Sequence, residues 1–445
     1  MTQETDGSLK QFEQKPYNHK YSSGHAYLFI SLVLNACTSL RGAERTMLLM
    51  SDFLELNYST PSWYSGRIWL LRLGYYKLTR EKDKADDWIW IVDHSVQLGK
   101  EKCFVILGIR QSKLPKAETI LCHEDVELLG LFPVTKSNGD IVYQQLEETI
   151  SKTGIPKQII SDHGSDVKSG VERFCQKYSN TIYIYDITHK AATLLKRELS
   201  TDDKWNEFTT FATNTKQKVQ QTNIANLAPP NQRTKARYMN IETLIKWGKD
   251  KLFLLDNFDK FSCLDCSKEY FTDRFGWLDN FRNELEEWKE LINVVKEIEA
   301  FVKFQGIYHD CYIDLIQIPT FKAKSHRAIR IKEELHNFIE QESKKAGKNE
   351  RLLGSSEIIE SVFGKMKRLE HDQAKSGFTV FILSLAAIVS KTTIEIVQEA
   401  LENISTKKVF EWFEEKIGDS VQAKKIQINN LIKKEEQKQN HIMVC

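Results

Sequence analysis

The N-terminal part of the chain repeats apolar residues at helical spacing. The repeat runs through residues 25–35, 40–56 and 62–76, and residues 57–61 (Asn-Tyr-Ser-Thr-Pro) interrupt it with turn-forming side chains. The last of these segments is rich in Trp, Tyr, Arg and Lys. Two helices joined by a short turn, the second basic and aromatic, are typical of a helix-turn-helix. The pattern therefore favours a helical DNA-binding domain over residues 1–82, and an ordinary helical hairpin is the alternative.

The pattern changes at about residue 83, where short β-rich runs begin to alternate with helical ones. We predict strands over residues 88–92, 103–109, 117–121, 158–160 and 181–185. We predict helices over residues 140–152, 168–178 and 188–199. Neighbouring strands before the first helix, and alternation after it, are typical of a mixed sheet with helices on both faces. Residues 83–200 therefore predict an α/β fold.

The remaining residues predict three further segments. Residues 201–349 are charged and helical in pattern, with residues 228–231 (Ala-Pro-Pro-Asn) as the one clear break, which indicates an all-helical insertion. Residues 350–400 include a strongly apolar helical stretch and supply the remainder of the α/β core. Residues 401–445 read as a charged helical tail.

Composition narrows the class of protein. The 445 residues are 41% hydrophobic, which is enough for several buried cores. Lys and Arg total 63 against 61 Asp and Glu, so a polyanionic partner would have to meet a local basic surface. The eight cysteines are scattered, which favours reduced thiols in an intracellular protein. The most apolar stretches fall short of the roughly 18 residues that cross a bilayer, so we expect no membrane segment.

Two aspartates follow apolar strands directly. Asp93 ends the first predicted strand in the sequence Ile-Val-Asp-His, and Asp162 ends another in Ile-Ser-Asp-His-Gly. Ligands of open α/β sheets collect at the carboxyl ends of the strands, and two acids brought together repel unless a cation lies between them. Carboxylate oxygens select Mg²⁺ or Mn²⁺, and phosphate chemistry suits two such ions. The sequence therefore predicts a site for two divalent ions, and the alternative is that each Asp caps a turn or a helix.

With these aspartates in place, the chain from about residue 88 to about residue 368 resembles the DDE transposases, which include insertion-sequence and hAT-type enzymes. Their catalytic domain has the ribonuclease H-like fold, with one Asp on the first strand, a second after the fourth, and a Glu on a later helix. Glu360 matches that Glu, because Lys367 follows it on the same helical face. Glu357 is the rival candidate. The resemblance implies that Asp93, Asp162 and Glu360 form a metal-binding catalytic triad.

Two further elements resemble parts of the family. Asp186 and His189 match an Asp-x-x-His element, which implies a supporting role near the active site, and a helix cap is the alternative. Arg274 and Trp277 are similar to an Arg and Trp motif of the family's helical insertion. That likeness implies an Arg on phosphate and a Trp stacked on an extruded base, and a core Trp is the alternative. We do not expect zinc, because one CxxC pair and a His-x-Cys form no established ligand set: Cys263, Cys266, His309 and Cys311.

The resemblance implies a DNA transposase that cleaves the ends of its element and joins them to target DNA. In the implied mechanism, water activated by the bound ions frees a 3′-hydroxyl, which then attacks a target phosphate. The implied partners are double-stranded DNA, as terminal inverted repeats and as target, and at least one more copy of the chain, since synapsis joins two ends. We expect DNA contacts from basic residues outside the insertion as well: Arg67, Arg72, Lys365, Lys367 and Arg368.

Such an enzyme would work in the cytoplasm at the nucleoid of a bacterium, or in the nucleus of a eukaryote. Two alternatives stay open. A ribonuclease H-like nuclease would share the triad and would have less use for an N-terminal DNA-reading domain. A domesticated DNA-binding protein would keep the helices and would need none of the acids.

Overall fold

The computed structural model describes residues 13–55, 59–98, 101–115, 118–232, 241–261, 265–318, 322–372, 382–418 and 428–429. The chain divides into two compact units. The first comprises residues 1–114, 121–183 and 356–445, and the second comprises residues 115–120 and 184–355. The predicted insertion falls wholly within the second unit, whereas the predicted N-terminal domain belongs to the same unit as the sheet. The five predicted segments and these two units are thus different divisions of the chain.

Within the described residues of the first unit, three helices lie close to where the apolar period predicts them: α1 (Ser23–Leu34), α2 (Leu40–Phe53) and α3 (Trp63–Thr79). A serine hydroxyl accepts a hydrogen bond from the first turn of each helix, which satisfies one of the backbone donors that a helix start leaves without a partner. These caps are Ser22, Ser39 and Ser62.

A five-stranded mixed sheet lies in the first unit, apart from the last two residues of its fifth strand. Its strands are β1 (Trp88–Leu98), β2 (Glu101–Arg110), β3 (Glu127–Val134), β4 (Gln158–Ser161) and β5 (Ile182–Tyr185). Their order is β3-β2-β1-β4-β5. Strand β2 is antiparallel to both β1 and β3, while β4 runs parallel to β1. The mixed α/β arrangement is consistent with the ribonuclease H-like fold that the sequence predicts.

Side chains of one sheet face pack against α4 (Gly139–Thr153) and α5 (Ser165–Lys177). Every second residue of β1 contributes its side chain to this core, because successive side chains of a strand point to opposite faces of the sheet. The core cluster comprises Trp88, Trp90, Val92, Phe104, Ile106, Leu129, Val142, Leu146, Ile159, Val167, Val171 and Phe174. The intervening residues Ile89 and Ile91 are also fully buried, so β1 is covered on both faces.

One predicted strand is wrong. Residues 118–122 form no strand, and the third strand of the sheet is β3 instead. The reason lies in the hydrogen bonds of Thr119, whose amide donates to the Phe304 carbonyl at 2.9 Å and whose hydroxyl donates to the Lys303 carbonyl at 2.7 Å. The backbone here therefore bonds to the end of a helix and not to a neighbouring strand.

In the part of the second unit that the structure describes, most elements are helices, and the strands are the last two residues of β5 and one short strand pair. Its elements are α6 (Ile187–Ser200), α7 (Asp203–Val219), α8 (Glu242–Asp256), α9 (Lys268–Phe275), α10 (Arg282–Gln305), β6 (Ile307–Tyr308), α11 (Cys311–Gln317), α12 (His326–Ser343) and β7 (Arg351–Leu352). Large aromatic side chains build its core, including Trp205, Phe208, Phe281 and Trp288.

The first unit ends in α13 (Glu357–His371), α14 (Ser384–Ile388), α15 (Ile394–Asn403) and α16 (Thr406–Lys416). Helix α13 contacts β1, and α14, α15 and α16 all contact α3. The N-terminal helices thus pack on C-terminal ones. Most of the predicted charged tail lies outside the described residues.

Candidate active site

The two predicted metal-binding aspartates occupy matched positions along the neighbouring strands β1 and β4. Ile89 of β1 pairs with Gln158 of parallel β4, and Ile91 pairs with Ile160. The offset of 69 positions between these partners is also the offset between Asp93 and Asp162. Adjacent strands lie about 4.8 Å apart, so the equal offset places Asp93 beside the residue that directly follows β4, which ends at Ser161. The prediction that Asp93 ends its strand is wrong, because β1 continues to Leu98 and Asp93 pairs with Val105 of β2 within it.

Backbone amides hold both carboxylates. Oδ1 of Asp93 accepts a hydrogen bond from the amide of His94 at 2.6 Å. Oδ1 of Asp162 accepts one from the amide of Gly164 at 2.9 Å. A Cβ at Gly164 would lie 3.3 Å from that same oxygen, so the turn that follows β4 passes very close to the carboxylate. His163 takes a φ of 59° in this turn, a left-handed conformation that is uncommon for a residue other than glycine.

A histidine and a third aspartate lie beside these two aspartates, and the sequence pattern predicted a role for neither of them. Nδ1 of His94 lies 3.8 Å from Oδ2 of Asp166 in the first turn of α5. Burial lowers the pKa of His94, and the nearby carboxylates of Asp166 and Asp162 oppose that shift. Spacing in the sequence could have indicated these two residues, because Asp166 lies four positions after Asp162 and His94 directly follows Asp93. His94 therefore lies between β1 and the first turn of α5.

The third predicted ligand lies on α13. Both Glu360 and its rival Glu357 are exposed in the first turn of this helix, which contacts β1. Among the described residues, which include these two acids and both aspartates, no three Asp, Glu, His or Cys side chains converge as a metal site requires. The structure therefore matches Asp93 with Asp162 and does not bring a third carboxylate into a cluster with them. The role of Glu360 stays a prediction.

Asp186 and His189 lie in the second unit and form a helix cap. Asp186 is 1% exposed, and its Oδ1 accepts a hydrogen bond from the amide of His189 at 2.8 Å at the start of α6. The capping alternative is thus present in the structure, and the supporting role near the active site stays a prediction.

Trp277 belongs to an aromatic cluster of the second unit. Its indole nitrogen donates to Thr215 Oγ1 at 2.9 Å, and its ring stacks on Phe211 with 5.1 Å between centroids and 17° between planes. The guanidinium of Arg274 lies over the Tyr270 ring at 5.0 Å. One face of Trp277 is therefore already covered, and its stacking on a base stays a prediction, as does the phosphate contact of Arg274.

The two arginines predicted to read DNA from α3 are buried to different degrees. Arg72 is 9% exposed, and its guanidinium donates to the carbonyl oxygen of Leu401. Burial lowers the pKa of Arg72 to about 10 and also lowers the pKa of Arg67. In this arrangement Arg72 directs its donors to α15, and the DNA contacts of both arginines stay predictions.

The zinc alternative concerns residues that the structure describes only in part, since Cys263 lies outside the described residues. Burial raises the pKa of Cys311 to about 11, so this thiol is protonated at neutral pH.

No helix within the described residues has the length and apolar character needed to span a membrane.

No protein-family model matches the chain, and no curated protein matches it either. Among solved structures, the chain is similar to the Drosophila P element transposase strand transfer complex, with 11% sequence identity and a TM-score of 0.40. The match covers 89% of this chain and 100% of that one. A likeness of this size is too weak to assign a fold or a function to the chain.

Proposed function

We propose that the chain is a DNA transposase whose active site is built on Asp93 and Asp162, with Glu360 as the third carboxylate. The observation that carries the proposal is the match in register between the two aspartates. Asp93 lies within β1, and Asp162 directly follows β4, the parallel neighbour of β1. Open α/β sheets gather their ligands near the carboxyl ends of parallel strands. A pair of acids at such an edge is costly unless a cation offsets their repulsion.

The donors fit a hard divalent cation, because carboxylate oxygens are the ligands that Mg²⁺ and Mn²⁺ prefer. Such ions, when bound, lower the pKa of water and offset the charge of a phosphodiester. The protein itself orients the carboxylate oxygens that would bind these ions. The amides of His94 and Gly164 fix the two aspartate carboxylates, and α13 carries Glu360 on an element in contact with β1.

DNA would reach this site along α13. Lys367 and Arg368 are exposed two turns beyond Glu360, and their charges suit phosphate oxygens. Each phosphate that a cation neutralises releases counterions, so DNA binding should weaken as salt rises. Joining two DNA ends to a target would require at least two copies of the chain in the reacting complex.

The test is cleavage of supercoiled plasmid and of duplexes that carry candidate element ends, with Mg²⁺ or Mn²⁺. Asp162→Ala should lose more than about 100-fold in cleavage rate, because even the outer partners of metal ligands cost 10- to 100-fold. Its DNA affinity should be retained. Asp86→Ala is the matched control, since Asp86 is an exposed aspartate just before β1 in the same unit.

The outcome separates the alternatives. Cleavage by the wild-type protein without any joined product would indicate a nuclease. Binding without cleavage under any divalent ion would indicate a DNA-binding protein. An Asp162→Ala variant that cuts at the wild-type rate would show that the assigned carboxylates are wrong.

A further inference from the structure

A histidine from the segment between β2 and β3 reaches the exposed side of α13. Nε2 of His123 lies 3.0 Å from the hydroxyl oxygen of Ser361, the residue that follows Glu360. The backbone of this histidine is also held, because its carbonyl accepts the amide of Ser390 at 2.9 Å. The imidazole is therefore fixed at the start of α13 by contacts with two separate parts of the chain.

A lysine lies one helical turn beyond Ser361. Lys365 is half-buried, and burial lowers its pKa while Cys37 and Glu124 oppose that shift. Burial also lowers the pKa of His123, and the charge of Lys365 lowers it further. The ammonium and the imidazole thus lie close enough to interact. This lowered pKa favours the neutral imidazole, which donates through one ring nitrogen at most.

The order of charges along α13 identifies no ligand by itself. Acids in the first turn and bases in the last turns are what the helix dipole favours in any helix. The His123 contact is different, because the dipole does not explain why another element brings an imidazole to Ser361. A half-buried ammonium beside that imidazole is also less stable than one in water, and an anion would offset this cost.

We propose that His123, Ser361 and Lys365 bind a phosphate of the DNA strand next to the reacting one. The His123–Ser361 hydrogen bond uses one hydrogen, so one of these two side chains keeps an N–H or O–H for a phosphate oxygen, and the ammonium of Lys365 supplies further donors. Ser361 is adjacent to Glu360, so this phosphate would lie beside the proposed carboxylates. The proposal rests on the proposed function and adds His123 to it.

The experiment measures binding of a short duplex of arbitrary sequence as a function of KCl, since phosphate contacts do not depend on sequence. Lys365→Ala should reduce the slope of log affinity against log salt by about 0.9, the value for one phosphate contact. His123→Ala at pH 8 should weaken binding about 10-fold, because it loses a hydrogen bond to a charged group and no cation. His123→Gln should recover part of this loss, because its amide also donates.

The matched controls are Lys407→Ala and His326→Ala, which remove an exposed lysine and an exposed histidine elsewhere. Both should bind the duplex as the wild-type protein does. A merely structural link between His123 and Ser361 would lower the melting temperature of His123→Ala and Ser361→Ala and would leave the salt slope of Lys365→Ala unchanged. That result would overturn the proposal.

Free phosphate is the other source of the same chemistry. If inorganic phosphate raises the melting temperature of the wild-type protein and not of His123→Ala, while both bind DNA equally, the cluster binds the free ion and the DNA assignment is wrong. Wild-type protein that binds no DNA at all would contradict the proposed function itself. DNA cleavage by the wild type, with unaltered binding in His123→Ala and Lys365→Ala, would contradict only the cluster.

Discussion

Helices α3 and α13 both carry basic residues that the sequence assigned to DNA, yet the structure gives them opposite surroundings. In α3 even charged side chains are buried, and Arg72 and Lys77 direct their donors to carbonyl oxygens of the same unit. In α13 one stripe is buried, and Lys367 and Arg368 lie on the exposed side. Burial, and not the presence of a cation, decides which helix can present charge to a partner.

The two helices also differ in the space around a glycine that each contains. A Cβ at Gly74 of α3 would lie 2.1 Å from the carbonyl oxygen of Leu383, so α3 packs directly against the backbone just before α14. A Cβ at Gly364 of α13 would meet nothing within 4 Å among the described residues. The same substitution in the two helices therefore tests the difference between them.

The largest effect is expected from Gly74→Ala. The added methyl group overlaps a backbone oxygen, which cannot move aside as a side chain can, so the free energy of unfolding should fall by about 3 kcal/mol or more. Urea denaturation of the variant and the wild type measures the loss. A variant as stable as the wild type would show that α3 does not pack against this backbone.

Lys77→Met should have the next largest effect. The ammonium of Lys77 donates to the carbonyl oxygens of Val389 and Ser390 and to the hydroxyl of Thr392, each at 2.8 Å. Methionine fills similar space without a donor, so the carbonyls just beyond α14 lose their partner. The free energy of unfolding should fall by about 2 kcal/mol. Lys367→Met, on the exposed side of α13, is the matched control and should change it by less than about 0.5 kcal/mol.

The pH dependence sharpens this comparison. Burial lowers the pKa of Lys77 to about 7, below that of a lysine in the unfolded chain. Between about pH 7 and pH 10.4 the unfolded state therefore binds more protons, and the free energy of unfolding rises with pH. The stability difference between wild type and Lys77→Met should grow across that window. A difference that stays constant would contradict the depressed pKa.

The smallest effect is expected from Gly364→Ala. Alanine has the higher helix propensity and finds open space here, so the free energy of unfolding should rise by about 1 kcal/mol. Thermal denaturation of the variant measures the gain. A loss of stability would indicate that this stripe of α13 is covered by some part of the chain.

The strands that define the candidate site could be predicted because their sequences are short apolar runs. Residues 88–92 and 158–160 were predicted as strands, and β4 ends just before Asp162 as predicted. Strand β1 instead continues past Asp93 to Leu98, because its antiparallel pairing with β2 extends beyond the apolar run. Strand β3 was missed because Gly130 and Pro133 interrupt its apolar run, and both residues weaken a strand pattern. The third strand was predicted at residues 117–121 instead, where Thr119 forms hydrogen bonds with the end of α10.

The contacts that complete the candidate site are long-range, and no local pattern specifies them. His123 and Ser361 are 238 positions apart, and neither belongs to a motif with a fixed spacing. The burial of α3 depends on three helices from the other end of the chain. The basic and aromatic residues of α3 favoured a DNA-reading helix, and the local pattern could not show that Arg72 and Lys77 are buried against C-terminal helices.

We propose that Asp93 and Asp162 together hold a divalent cation, and calorimetric titration of the protein with Mn²⁺ tests this most directly. The wild-type protein and Asp86→Ala should bind Mn²⁺ with the same affinity. Asp93→Ala and Asp162→Ala should each lose at least about 10-fold in affinity, since each removes a direct ligand. Equal Mn²⁺ affinity in all four proteins would contradict the account.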